Sequence, residues 1–179
     1  SWCNALNLGI ERIRLRNAQL RFMRQPVVDK IVNLSVETLW TPDDLDAMVR
    51  ATHEQGAKIV GTSFVGEFRG NKVPLGRSYD HPRNTLMLIE MGVFAEIGQF
   101  DATCDQLGGM EDFQFLIRAW IAGLVVAHLD LRVRLSVGKN HNQDVKEKRE
   151  RAATRFIRDQ LLELVHDAPK EIKDRMNAA

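Results

Sequence analysis

"KIVNLSVETLWTPDDLDAMVRATHEQGAKIVGTSFV", residues 30–65, decides the fold. Its first seven residues are an apolar run of strand length, and "AKIVGTSFV" (57–65) is a second, rich in β-branched side chains. Between them Thr41 stands as a candidate N-cap, Pro42 at the first helical position, Asp43 and Asp44 in the first turn, and Gly56 at the stop. Strand, helix and strand joined by short links predict a parallel βαβ unit. The fold class that follows is α/β, a mixed, mainly parallel sheet flanked by helices.

Upstream, Leu6, Ile10, Ile13, Leu20 and Met23 recur at helical spacing and predict an amphipathic helix that ends near Gln25-Pro26. Downstream, residues 65–85 lose all periodicity and carry Gly, Pro, Asn and Asp at turn positions, which predicts a long loop of the kind that orders over a ligand. "LMLIEM" then reads as a strand, "GVFAEIGQFD" as a short helix and turn, and "LVVAHLDLRVRLSV" as one or two strands. From Asp144 to His166 a long charged helix is expected, with Val145, Ala152, Phe156, Leu161 and Leu164 on its apolar side, and "PKEIKDRMNAA" as a shorter one. The domain reading is 1–142 for the α/β domain and 143–179 for a C-terminal helical extension.

The bulk numbers set bounds. The chain has 179 residues, 44% of them hydrophobic and 27% charged, with a formal net charge of +1. That suits a globular domain with a sizeable core and argues against a nucleic-acid partner held by bulk charge. No apolar run approaches the ~18 residues of a membrane span, and the first twenty residues lack the uninterrupted apolar core of a secretory signal. The expectation is a cytoplasmic protein without a transmembrane segment. Cys3 and Cys104, far apart and outside any Cys-x-x-Cys or Cys/His cluster, read as reduced structural thiols.

"LGGMEDFQFLIRAWIAG" (107–123) sets Glu111 and Asp112 at the first turn of a helix whose Phe113, Leu116, Ile117, Trp120 and Ile121 form an apolar stripe, with Gly123 as its stop. Acids at a helix start stabilise it against its dipole. The same position mounts a carboxylate rigidly enough for catalysis.

Three pieces stand in order: "RLRNAQL" (14–20) leading into "DKIVNLSVETLWTPDDL"; "NTLMLIEMGVFAEIGQFD" (84–101); and "GGMEDFQFLIRAWIAGLVV" (108–126). This series resembles the GT-A fold glycosyltransferases, in particular the family-2-like inverting enzymes. In those an Arg-Asn helix precedes a strand ending in Asp-x-Asp, an apolar segment ends in a Gly-x-Phe-Asp turn, and a Glu-Asp pair opens a helix ending in Gly. The resemblance covers residues 5–140. It implies transfer of a sugar from a nucleotide-sugar donor to a hydroxyl acceptor with inversion, with Asp112, beside Glu111, as the base that takes the acceptor proton.

The resemblance also implies that Arg16 and Asn17 meet the donor; apart from it, Lys139 and Arg83 are two of the chain's 25 basic residues able to meet phosphate oxygens. Ser35 and Glu37 stand where the family has its two aspartates, so the motif is degenerate. A divalent cation, Mn²⁺ or Mg²⁺, needs hard oxygen ligands; Glu37 supplies one, and His141 or His128 takes the place of the family's metal-binding histidine. The family carries a further strand-helix-strand segment ahead of the Arg-Asn helix, whereas this sequence starts almost at that helix, so an upstream segment or another chain would complete the donor site. Two other readings stay open: a catalytically inactive GT-A-like binding or structural module, and an unrelated α/β domain in which Glu111 and Asp112 only start a helix.

Overall fold

The computed structural model describes residues 2–34, 38–68, 71–73, 86–107 and 111–136, with Ala152, Arg155, Phe156, Asp159, Gln160 and Lys170. In chain order the elements are α1 (Trp2–Phe22), β1 (Lys30–Leu34), β2 (Thr38–Leu39), α2 (Pro42–Glu54), β3 (Ile59–Phe68), β4 (Asn71–Val73), β5 (Leu86–Glu90), α3 (Met91–Glu96), α4 (Ala102–Leu107), α5 (Glu111–Ile121) and β6 (Val126–Ser136). The chain divides into two compact units. The first takes Ser1–Val27, Gln99–Gly123 and Asn142–Ala179; the second takes Val28–Gly98 and Leu124–His141.

The second unit holds the sheet. Its strand order is β1-β5-β3-β6-β2, with β4 also on β3. The sheet is mixed, as expected, but it is not mainly parallel: among the described residues β3 and β6 pair in parallel, and the other four pairings are antiparallel. β1 and β3 do run in the same direction around α2, yet β5 lies between them and is antiparallel to both. Burial explains the insertion. Leu86, Met87, Leu88 and Ile89 are all 2% exposed or less, so β5 is apolar on both faces and belongs in the middle of a sheet, whereas Val32 and Leu34 of β1 are 39% and 40% exposed.

α2 forms as its sequence signals require. Thr41 Oγ1 accepts from the Asp44 N–H, and the Asp44 carboxylate accepts from the Thr41 N–H at 2.7 Å, a reciprocal capping box with Pro42 just inside the helix. Gly56 beyond its end adopts φ +65°, a conformation that side chains resist. Its apolar face brings Met48 and Ala51 onto Ala57, Val60, Leu86, Leu88, Ala127 and Val133, the core of this unit.

β3 runs further than the sequence pattern suggests. The stretch read as the beginning of a loop at residue 65 instead continues β3 to Phe68 and turns back into β4, so Gly66 pairs with Val73 and Phe68 with Asn71. Backbone pairing extends β3 beyond its apolar run, a gain that side-chain periodicity does not register. The remainder of the 65–85 stretch lies outside the described residues. "LVVAHLDLRVRLSV" forms one strand with a break: the register passes from Thr62↔Leu129 to Phe64↔Val133, so β6 spends two more residues than β3 there. Such bulges bend a sheet and sharpen its twist.

Two four-stranded layers share β3 and β6 across that bend. Before it the order is β1-β5-β3-β6; after it β4 takes the side of β3 that β5 held, and β2 joins β6 through Thr38↔Leu135. Thr62, at the bend, is 1% exposed, and its hydroxyl is buried without a hydrogen-bond partner.

In the first unit α1 buries Cys3, Ile10 and Asn17. Met23, expected on that face, lies past the helix end in a turn where Arg24 adopts φ +55°, and it is 54% exposed. α5 packs Ile117 on Cys104 with Phe113, Trp120, Ile121 and Phe156 around them. Phe156 thus joins the packing from the expected C-terminal helix, in which Arg155, Phe156, Asp159 and Gln160 are helical. Ala152, placed on that helix's apolar side by its spacing, is exposed.

Two substitutions probe these arguments by denaturant unfolding. Thr41→Ala should lower stability by about 1 kcal/mol through loss of the cap. Thr62→Val, which replaces a buried unpartnered hydroxyl with a methyl, should raise it by about 1 kcal/mol, within the ~1–3 kcal/mol that such a group costs.

Candidate functional site

Glu111 and Asp112 occupy the first turn of α5, as the sequence predicts. Both are half-buried, Glu111 Oε2 is shielded from solvent, and Asp112 Oδ1 accepts the Phe113 N–H at 2.8 Å.

The next two turns anchor α5 to the Gln99-Phe100-Asp101 turn. Gln114 Nε2 donates to Asp101 Oδ2 at 3.4 Å, and Arg118 Nε donates to Gln114 Oε1 at 3.0 Å. The Arg118 guanidinium also donates to the Gln99 carbonyl at 2.6 Å and lies 5.3 Å over the Phe115 ring. Phe115 in turn stacks on Phe100 with centroids 4.3 Å apart. Asp101 Oδ1 accepts the Thr103 N–H at 2.8 Å and so starts α4. From the other side α1 reaches the same turn: Asn7 Nδ2 donates to the Phe100 carbonyl at 2.8 Å and Asn7 Oδ1 accepts the Phe100 N–H at 3.2 Å. Gln99 Nε2 donates to Glu11.

Periodicity misses this network. It selects Phe113 and Trp120 for the buried stripe, yet the fully buried positions include Gln114 and Phe115, and Trp120 is only partly covered. Gln114 and Arg118 are polar and four apart on one helical face, a spacing at which side chains meet. That was the available signal.

Electrostatics follow from burial. Cys104 is fully buried, and desolvation, reinforced by the negative charges of Asp101 and Glu111, pushes its thiol up to about 12. Burial lowers the Arg118 pKa from its ordinary value, opposed by Asp101. Cys3 and Cys104 are both free and buried, consistent with structural thiols.

The other expected site residues divide as follows. Arg16 is exposed on α1 and donates to Gln19 at 3.3 Å, whereas Asn17, next to it, is 5% exposed inside the first unit. Ser35, Glu37 and His141 lie outside the described residues, as do Arg83 and Lys139. His128, the alternative to His141, is exposed on β6 opposite Gly61. Among the described residues no three His, Cys, Asp or Glu side chains stand together as a metal site. On the sheet, Val32, Leu34, Trp40, Leu45 and Leu86 line a cavity of about 120 Å³, apolar and smaller than the ~300–1,000 Å³ of usual ligand pockets.

Fold and site together define a small α/β protein with a mixed sheet. No protein-family model matches the chain, and no curated protein matches it. Among the described residues no helix is long and apolar enough to cross a membrane.

The Cys104 thiol gives a pH test. Its folded pKa is raised, so its contribution to stability is whole below the free thiol's pKa of 9.0 and is lost as pH climbs toward about 12. Chemical unfolding at stepped alkaline pH should show stability falling over that window. Cys104→Ala should show a shallower fall.

Proposed function

We propose that this chain carries a GT-A-type glycosyltransferase site that moves a sugar from a nucleotide-sugar donor to a hydroxyl acceptor with inversion. The observation that carries the reading is the joining of two of its three ordered motifs. The Gln99–Asp101 turn and the helix that Glu111 and Asp112 start are clamped by Gln114 and Arg118, so the helix that carries the carboxylates is anchored by a polar network. A base so mounted keeps its geometry through a reaction cycle.

In this reading Asp112 accepts the proton of the acceptor hydroxyl as its oxygen attacks the anomeric carbon. The new carbon–oxygen bond forms on the face opposite the breaking bond to phosphate, the nucleoside diphosphate departs with that electron pair, and the anomeric configuration inverts. A positioned base contributes about 10²–10⁴-fold. Arg16, Asn17 and Ser35 are assigned to the donor, and Glu37 and His141 to a divalent cation, Mn²⁺ or Mg²⁺. With one carboxylate where two are usual, the donor's phosphates would supply most of that ion's ligands.

Within the sheet unit, strand direction supports the pairing of Glu37 with His141. β1, β3 and β6 run the same way, so β1 and β6 end toward one edge of the sheet, ahead of Glu37 and His141 respectively. Ligands of open α/β sheets bind at the carboxyl ends of strands.

Transfer, or donor hydrolysis where no acceptor is known, tests the reading in the longest polypeptide that contains this chain and is active. Asp112→Asn should cut turnover by about 10²–10⁴-fold while calorimetry shows nucleotide-diphosphate binding unchanged. A full-rate Asp112→Asn with an inactive Glu111→Gln moves the base to Glu111. Full activity of both removes the catalytic reading of the pair. Failure of the wild-type chain to bind any nucleotide diphosphate with Mn²⁺ or Mg²⁺ favours the inactive module, to which Ser35 in place of a carboxylate already points.

A further inference from the structure

β1 turns one set of main-chain groups away from the sheet. The Met91 N–H donates to the Asp29 carbonyl at 2.7 Å, and hydrogen-bonded pairs alternate along an antiparallel ladder. With Lys30 opposite Glu90 and Val32 opposite Leu88, the residues bonded to β5 are therefore Asp29, Ile31 and Asn33. The N–H and C=O groups of Lys30, Val32 and Leu34 face the outer side, where β1 ends the strand order and no described strand pairs with it.

The two flanks of the sheet are finished differently. β6 has no described partner on its outer side ahead of Arg134, and there His128 and Asp130 are exposed, the polar and charged finish that keeps strand edges from pairing. β1 instead exposes Val32 and Leu34, and its Lys30 is tied to the adjacent Asp29 at 2.9 Å. Val28, Leu39 and Trp40 are exposed as well, and Val32, Leu34 and Trp40 share the apolar cavity beside Leu45 of α2. An edge left apolar in this way is a surface for pairing rather than for solvent.

The outward set is its own complement. Lys30, Val32 and Leu34 are spaced evenly about Val32, so a second β1 laid antiparallel, with a two-fold axis at Val32, sets every outward N–H against an outward C=O. Val32 then faces the partner's Val32, and Leu34 faces the partner's Lys30, whose aliphatic stem covers the mouth of the cavity. The two Lys30 residues lie four positions apart along the ladder, about 14 Å, beyond the ~8 Å Debye length, so the arrangement opposes no like charges at close range.

We infer that the chain forms a two-fold dimer through β1, which joins two sheets into one across Val32. The inference stands apart from the glycosyltransferase reading, because its test reads mass and crosslinking rather than turnover.

Sedimentation velocity of the full chain tests it. A dimer should appear at or below about 100 µM, within the range of a small strand-pairing interface. Proline is accepted on an edge strand where its missing N–H faces outward, so Val32→Pro should keep the circular dichroism spectrum and raise the dissociation constant at least about tenfold. Val32→Lys, which sets like charges together at the axis, should weaken the dimer as much without altering the backbone. Bonded antiparallel partners have Cα atoms about 5.5 Å apart, within disulfide reach, so Val32→Cys should crosslink between chains on exchange with glutathione disulfide. Leu34→Cys, about 14 Å from its own copy, should not. A wild-type monomer at that concentration overturns the assignment and leaves the edge to a strand of a different polypeptide. A dimer that both Val32→Pro and Val32→Lys leave intact, or one that Leu34→Cys crosslinks and Val32→Cys does not, puts the contact elsewhere and overturns it equally.

Discussion

Leu34 and Thr38 are four residues apart, so the chain between them spans at most about 14 Å. Yet they belong to β1 and β2, the two ends of the strand order. With strands about 4.8 Å apart, a flat sheet would separate them by about 19 Å sideways before any offset along the strands is added. The sheet cannot be flat. The register break between Thr62/Phe64 and Leu129/Val133 provides the bend that lets a short connection close the distance. The layer holding β4 and β2 follows from that bend, and so does the burial of the Thr62 hydroxyl, whose desolvation goes uncompensated.

The bend also fixes which features the sequence could announce. Local signals were legible: Thr41, Pro42 and Asp44 built the cap they spell, and Glu111 and Asp112 start α5 where the pattern puts them. Pair direction was not legible. Nothing in "LMLIEM" states that it will separate β1 from β3, because burial on both faces says central without saying antiparallel. A parallel neighbour is the usual outcome of a strand-helix-strand pattern. Here the competing requirement, shelter for four consecutive apolar side chains, prevailed.

The candidate site was legible in a similar, partial way. Periodicity finds apolar faces, so it found the helix beneath Asp112 and passed over Gln114 and Arg118, whose work is polar and long-range. Asn7 illustrates the limit: its amide meets both main-chain groups of Phe100 across 93 residues, imitating a strand partner with a side chain, and no window of sequence contains both ends of that contact. Ser35, by contrast, could be noticed only against a resemblance, since a serine at a strand end is unremarkable by itself.

Neither compact unit is continuous in sequence. During synthesis α1 emerges before the rest of its unit, and Asn7 has no Phe100 to grip until 93 further residues have been added, roughly 5–20 s at usual elongation rates. Ile59 of β3 likewise waits for Val126 of β6 before its parallel pairing can begin. For that interval the nascent chain holds a helix with apolar residues on two faces and strands with unpaired edges. A holding chaperone that shields extended apolar segments should therefore raise the yield of folded protein.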